Sequence, residues 1–177
     1  MQYTNRYQSS MGSITLASNG DELTGLWFDG QKYFADTLSK EWEERELPIF
    51  QQTRKWLDIY FRGEEPDFTP PLKLDSSPFR LSVWKILMQI PYGQLLTYGE
   101  IAKRIAGEFG RDHMSAQAVG GAVGHNPISI IVPCHRVVGS NGSLTGYAGG
   151  IDKKIQLLTL EKVNMEPLFM PKKGSAL

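Results

Sequence analysis

Residues 114–124 read Met114-Ser115-Ala116-Gln117-Ala118-Val119-Gly120-Gly121-Ala122-Val123-Gly124, and the fold turns on how that run is interpreted. A helix is predicted there, yet two adjacent interior glycines cost roughly 1 kcal/mol each relative to alanine. Close approach of the backbone to another surface is the physical reason to accept such a cost. That surface is either a neighbouring helix or the groove of a nucleic acid. Just upstream, Thr97-Tyr98-Gly99-Glu100 has the pattern of a capping box, in which Thr97 and Glu100 satisfy each other's backbone donors. Ile101, Ala102 and Ile105 supply the inner face of the helix it opens. Two short helices joined by a turn, the second unusually bare, form a helix-turn-helix pattern. The bare face suits contact at backbone level better than side-chain readout of base edges.

Working outward, Ser77-Pro78 predicts a helix with Ser as N-cap and Pro at the first helical position. It carries Phe79, Val83, Trp84, Ile86, Leu87 and Ile90 and stops at Pro91-Tyr92-Gly93. Downstream lies Ile130-Ile131-Val132-Pro133-Cys134-His135-Arg136-Val137-Val138, an apolar, β-branched run that delivers the chain's single cysteine. The run reads as a buried strand or extended segment, interrupted at Pro133, which removes a donor and fixes its own φ. A lone cysteine in such a run is often a small buried hydrophobe. The adjacent imidazole and guanidinium favour a second reading, because both can lower a thiol pKa from about 8.5 and so supply a thiolate nucleophile. Adjacent residues on an extended chain point to opposite faces, so His135 serves Cys134 only if the backbone turns there or a water intervenes. Residues 139–150 then hold five glycines, the composition of a binding loop. A last helix is predicted over about 152–163, with Ile155, Leu158 and Val163 inward. Glu161 near its end is either a solvated charge or a buried partner for His135.

The N-terminal part differs in character. Residues 3–9, 11–18 and 22–29 have β-rich composition punctuated by Met11-Gly12, Asn19-Gly20 and Asp29-Gly30, the last two being pairs that tight hairpins favour. An amphipathic helix follows over 47–62, closed by Gly63. A Pro-rich connector, 63–77, marks a domain boundary. The formal net charge is zero but polarised. Residues 1–77 hold eight basic and thirteen acidic side chains, a net −5, whereas residues 78–164 hold nine and five, a net +4. No stretch approaches the roughly 20 apolar residues of a membrane span, and the N-terminus lacks a secretory signal pattern. One free cysteine suits a reducing cytoplasm, and its spacing from His113, His125 and His135 does not suit zinc.

Taken in order, Tyr98, Gly120-Gly121-Ala122, Asn126-Pro127, Pro133-Cys134-His135-Arg136-Val137 and the glycine-rich loop resemble the O6-alkylguanine-DNA alkyltransferases, the methylated-DNA–protein-cysteine methyltransferases. The match covers residues 76–163 or so; residues 1–75 match in size and in strand-then-helix order. The resemblance implies an α+β chain. Residues 1–75 would form a small ribonuclease-H-like sheet-plus-helix domain, and residues 76–165 a mostly helical, winged-helix or helix-turn-helix-type DNA-binding domain. Residues 166–177 would be a tail that need not be ordered. It also implies a single-turnover DNA-repair enzyme, a suicide methyltransferase that flips O6-alkylguanine, and less efficiently O4-alkylthymine, out of duplex DNA.

By the same resemblance Cys134 is the alkyl acceptor, His135 its water-mediated base, Glu161 the carboxylate that orients the imidazole, and Asn126 the brace of the turn. Tyr98 helps rotate the nucleotide and donates to the leaving guanine. Ser115, Gln117, Ala118, Gly120, Gly121 and Arg136 join Tyr98 in contacting DNA, and Val123, Ser129, Pro133, Val137, Tyr147 and Ala148 line the substrate pocket. No cofactor or metal is implied, and the partner is double-stranded DNA met by a monomer. The chain departs from the family's pattern at Gln117, where an arginine is usual, which predicts weaker DNA binding. Ser129 and Ala148 stand where Pro and Ser are common, which bears on pocket width. From the residues alone, a Cys/His hydrolase using Glu161 as orienter and a non-enzymatic DNA-binding regulator remain alternatives.

Overall fold

The computed structural model describes residues 1–171 and divides into two compact units. The first comprises Met1–Asp75 together with Pro127–Ile131; the second comprises Ser76–Asn126 and the chain from Val132 onward. The separate return of five residues to the first unit differs from the simple boundary near residue 75 expected from composition.

In the first unit, β1 (Gln2–Ser9), β2 (Gly12–Ser18), β3 (Leu23–Phe28) and β4 (Trp42–Glu44) form one sheet in the order β3-β2-β1-β4. The two hairpin pairings are antiparallel, as the β-rich runs and the turn pairs between them suggested, but β4 lies parallel to β1. Asp29-Gly30 therefore makes no hairpin. It opens a run of tight turns through residue 38, because a parallel neighbour needs a crossover rather than a two-residue turn. At Asn19 the side chain itself builds the turn, accepting from the N–H groups of Asp21 and Glu22. Helix α1 (Pro48–Phe61) turns Ile49, Phe50, Trp56, Leu57 and Tyr60 inward, where Ile14, Leu16, Leu26 and Phe28 of the sheet are also buried.

The second unit holds α2 (Pro78–Met88), β5 (Leu96–Thr97), α3 (Tyr98–Glu108), α4 (Ala116–Gly124), β6 (Val137–Val138) and α5 (Ile151–Leu160). Ser77 caps α2 as its sequence signature predicted, its Oγ accepting from the Arg80 N–H. The capping box of α3 is present in both directions, Glu100 N to Thr97 Oγ1 at 3.1 Å and Thr97 N to Glu100 Oε2 at 3.0 Å. Trp84 of α2 donates its indole N–H to the Ala122 carbonyl of α4 at 2.8 Å, locking those two helices together. Strands β5 and β6 pair in parallel, Leu96 with Val137 and Thr97 with Val138. That short ladder sets Tyr98, the next residue of the first strand, beside the exit of the cysteine segment.

Two expectations are corrected here. The run Ile130–Val132 is not a strand. Ile131 N–H bonds the Ser129 carbonyl at 2.8 Å, closing a three-residue turn around Ile130, whose φ is +69°. A positive φ at a β-branched residue is a steric outlier, so the burial of Ile128, Ile130 and Ile131 must hold the turn. The first residues of the expected tail are also placed. Phe169 N–H donates to the Gly142 carbonyl, and Leu144 N–H to the Phe169 carbonyl, so the segment straps the glycine-rich loop. Gly142 sits at φ +89°, and a Cβ there would meet the Pro167 carbonyl oxygen at 2.5 Å, so only glycine fits beneath the strap. The remainder of the expected tail, 172–177, lies outside the described residues.

Candidate active site

The alternation problem of Cys134 and His135 is solved by two consecutive turns. Cys134 N–H bonds the Val132 carbonyl at 2.8 Å, with Pro133 between them at φ −82° and ψ 64°. That is the inverse γ-turn, for which proline's fixed φ is suited. Cys134–Arg136 then form a single 3-10 turn, in which successive side chains point about 120° apart rather than to opposite faces. Asn126 donates its Nδ2 hydrogen to the same Val132 carbonyl at 2.8 Å.

All three side chains of the turn are buried, Cys134 to 4% exposure and His135 to 0%. Glu161, just past the end of α5 and 3% exposed, gathers two of them. Its Oε2 accepts from His135 Nε2 at 2.5 Å and from Arg136 Nη2 at 3.2 Å; its Oε1 accepts from Arg136 Nε at 2.8 Å and the Gly93 N–H at 2.9 Å. Burial alone would raise the Glu161 carboxyl. The bonds from His135 and Arg136, with the Arg136 charge, outweigh it and hold the group well below the usual carboxylate range. The His135 pKa is lowered as well, which here favours the neutral form: burial lowers it, the Arg136 charge adds to that, and Glu161 offsets only part of it. We take the histidine as neutral at rest, with Arg136 the cation that keeps Glu161 ionised. An ionised carboxylate only accepts, so the ring hydrogen is on Nε2, and Nδ1 carries the basic lone pair.

Arg136 thus departs from its expected role at a DNA surface. It is buried, spends Nε and Nη2 on Glu161, and donates Nη1 to the Ile90 carbonyl at 2.7 Å. Cys134 departs from the expected low-pKa thiol too. Burial raises its pKa, and the lowering influences of Asn126, the Lys154 charge and the local backbone N–H groups do not overcome it. At rest the sulfur is a protonated thiol.

Tyr98, at the start of α3, is buried and donates its hydroxyl to the carbonyls of Thr145 and Gly146, at 3.1 and 3.2 Å. Tyr147 in the same loop is buried, its ring edge-on to the His135 imidazole at 6.5 Å. Val137 and Pro133 flank the turn, and Ala148, next to Tyr147 in the loop, is half-buried. Val123 lies on the inner face of α4 with Val119 and Ala122. Ser129 falls within the first unit, where its N–H bonds the Leu26 carbonyl and its Oγ approaches Gln31 Oε1 at 3.4 Å.

The outer face of α4 presents Ala116, Gln117, Ala118 and Gly121, with Ser115 capping it through a bond to the Ala118 N–H. A Cβ at Gly121 would meet nothing within 4 Å, and one at Gly120 would only touch the Tyr98 ring at 4.0 Å. Packing inside this chain therefore does not require either glycine. Lys154 is the residue sequence reasoning missed. It is fully buried on α5 and donates from Nζ to the carbonyls of Val137, Thr145 (2.9 Å) and Gly146 (3.2 Å). The available signal was its spacing from Leu157 and Leu158, which puts it on the inner stripe of the helix.

Among the described residues, no helix is long and apolar enough to cross a membrane. Residues 78–163 match the family described as the 6-O-methylguanine DNA methyltransferase DNA-binding domain, and residues 2–74 match that enzyme's ribonuclease-like domain. The chain is 39% identical to a methylated-DNA–protein-cysteine methyltransferase of Haemophilus influenzae, covering 96% of each chain. It is 46% identical to that of Mycobacterium bovis, covering 87% of this chain and 88% of that one. A crystal structure of Mycobacterium tuberculosis OGT in complex with DNA superposes with a TM-score of 0.79 at 43% identity, covering 90% of this chain and 92% of that one. With both halves matched, and with relatives 39% and 46% identical along most of its length, the chain belongs to the methylated-DNA–protein-cysteine methyltransferases.

Proposed function

We infer that this protein repairs DNA by moving the alkyl group of O6-alkylguanine, and less efficiently of O4-alkylthymine, onto the sulfur of Cys134, once per molecule. One observation carries the reading: the chain's single thiol shares a 3-10 turn with an imidazole hydrogen-bonded to a buried, ionised carboxylate. The target atom lies inside a base stack, so the nucleotide must leave the duplex first, at a cost of about a few kcal/mol. The bare face of α4 supports approach to a DNA groove at backbone level, with Gln117 filling the gap left in the stack.

The chemistry balances without a cofactor. His135 Nδ1 takes the thiol proton, through a water, and Glu161 stabilises the imidazolium that results. The thiolate attacks the saturated alkyl carbon in line; the S–C bond forms as the C–O6 bond breaks, and the electron pair leaves with the guanine. The Tyr98 hydroxyl donates a hydrogen bond to the departing base, and the proton taken from Cys134 neutralises it. Thiol and alkylguanine become thioether and guanine. The chain has no second thiol to cleave the thioether, so one event spends the molecule. In this reading the protein acts as a monomer in the cytoplasm, its free thiol suited to that reducing compartment.

The test is the intact mass of the protein after incubation with a duplex containing one O6-methylguanine. A gain of one methyl group, located on Cys134 and lost in Cys134→Ser, is the expected result. An unmodified Cys134 beside repaired DNA would sink the reading.

A further inference from the structure

The alkyl-transfer steps leave the turn between α3 and α4 without a task. It runs from residue 109 to residue 115, seven residues where a helix-turn-helix ordinarily uses about three or four. The longer chain is pinned at both ends. Helix α3 closes in a Schellman motif: Gly110 sits at φ +63°, its N–H bonds the Gly107 carbonyl at 3.3 Å, and the Arg111 N–H bonds the Ala106 carbonyl at 2.8 Å. The Phe109 ring lies 6.5 Å from that of Phe79 on α2, and Ser115 caps α4 at the far end. A cleft of about 480 Å³ lies between this turn and α3. Its α3 wall is built from Gly99, Ala102, Ala106 and Gly107, so Lys103 is the one long side chain there. The turn contributes Arg111, Asp112, His113 and Met114, and α4 contributes its first residue, Ala116.

Charge decides what such a cleft can hold. Helix α4 carries no charged side chain, yet most of the attraction between a protein and a duplex comes from cations set against phosphates. The bare helix can enter a groove but cannot by itself hold the polyanion. Lys103 and Arg111 are exposed, and among the described residues neither side chain makes an ion pair or a hydrogen bond within the chain. The carboxylates of α3 are already engaged: Glu100 accepts from the Thr97 N–H at 3.0 Å, and Glu108 accepts from Ser82 Oγ on α2 at 3.0 Å. Asp112 is the one acidic side chain in the lining, set against two cations and against His113, whose ring keeps an N–H donor in either tautomer. The first turn of α4 adds backbone N–H groups that have no acceptor within the helix. Through Ala116 the cleft is continuous with the outer face of α4, where Gln117, Ala118 and Gly121 are also exposed.

We propose that the long turn is a backbone-phosphate clamp, in which Arg111 and Lys103 meet phosphates of the strand beside the groove that receives α4 and supply the charge that α4 itself lacks. The proposal rests on the DNA-binding part of the repair reading. Binding to a lesion-free duplex is followed by fluorescence anisotropy between about 50 and 200 mM salt. The proteins compared are the wild type, Arg111→Gln, Arg111→Lys, Lys103→Gln and Lys55→Gln, the last altering an exposed lysine of α1 in the first unit. Arg111→Gln and Lys103→Gln should each lower the slope of log Kd against log salt by about 0.9 and weaken binding roughly five- to tenfold at 0.1 M salt. Arg111→Lys should keep the slope, since a point charge suffices for a phosphate, and Lys55→Gln should leave it unchanged. Unmoved slopes in Arg111→Gln and Lys103→Gln overturn the proposal. So does an equal loss in Lys55→Gln, which would report net charge rather than a site, or in Arg111→Lys, which would report the fold of the turn. Alkyl transfer is scored apart, by the mass gain of Cys134 on a methylated duplex. Lost slopes beside an unmodified Cys134 uphold the clamp and sink the repair reading; unmoved slopes beside a methylated Cys134 do the reverse.

Discussion

At the scale of single residues, the site depends on holding His135 neutral and Glu161 ionised within one hydrogen bond. Arg136 makes both states compatible, because it pairs with the carboxylate and disfavours a second positive charge beside it. Both pKa values are depressed by folding, and both shifts predict acid lability in separate windows. Below the ordinary imidazole value of about 6.5 the unfolded chain binds a proton that folded His135 refuses. Stability then falls with pH by up to about 1.4 kcal/mol per unit until the folded pKa is reached. Glu161 contributes stability that is fully present above about 4.3 and lost as pH falls toward its depressed folded value. His135→Gln can still donate to Glu161 but cannot titrate, so the thermal midpoint of this variant, followed by circular dichroism, should stay flat between about pH 6.5 and 5 while that of the wild type declines. Parallel curves for the two proteins would show that another group carries the acid sensitivity.

At the scale of elements, α4 is less stable than its position allows. Gly121 has ordinary helical backbone and open space where a Cβ would stand, so Gly121→Ala should stabilise the fold by about 0.5–1 kcal/mol. If the bare face meets DNA, the added methyl should also weaken duplex binding. The thermal midpoint should rise while the Kd, measured by fluorescence anisotropy, increases; a variant that gains stability with unchanged Kd would refute the role given to α4. The helices were legible because their signals are local: Ser77-Pro78, the Thr97/Glu100 capping box and the apolar spacing of α1 need no tertiary information. The parallel pairings β1–β4 and β5–β6 were not, since each joins segments far apart in the chain. Ile130–Val132 misled for a different reason. Apolar, β-branched composition reports burial, not φ, and tertiary packing chose a turn. Within the site, Cys134 and His135 stood out by residue type and order, the Glu161–His135 bond was one of two readings of Glu161, and Asn126 entered only through the family resemblance. Lys154 was not legible, because a lysine is ordinarily read as exposed, and Arg136 was assigned to DNA for the same reason.

At the scale of the whole molecule, the two units are interlaced in sequence, so the chain leaves the acidic first unit a second time just before the cysteine turn. Pro127–Ile131 belongs to that unit, yet it ends three residues before Cys134. It is held there by backbone bonds, Leu26 N–H to the Pro127 carbonyl and Ser129 N–H to the Leu26 carbonyl, both at 2.9 Å. Ile128, Ile130 and Ile131 are buried, and each such side chain stabilises by about 1.5–3 kcal/mol. That burial also offsets the roughly 1–3 kcal/mol of the positive φ at Ile130. A fragment spanning residues 76–177 would keep every side chain of the Cys134–His135–Glu161 network and still lose what fixes the approach to the thiol. Ile130 should then relax to a negative φ, the segment before Pro133 should lose its turn, and Cys134 should become accessible. The expected outcome is a fragment that retains helical circular dichroism, reacts faster than the full chain with a thiol-specific disulfide reagent, and transfers methyl from O6-methylguanine duplex at least about tenfold more slowly, a loss of about 1.4 kcal/mol in transition-state stabilisation. Equal transfer rates for fragment and full chain would mean that the second unit builds its active site alone and that the return of Pro127–Ile131 to the sheet is incidental to the chemistry.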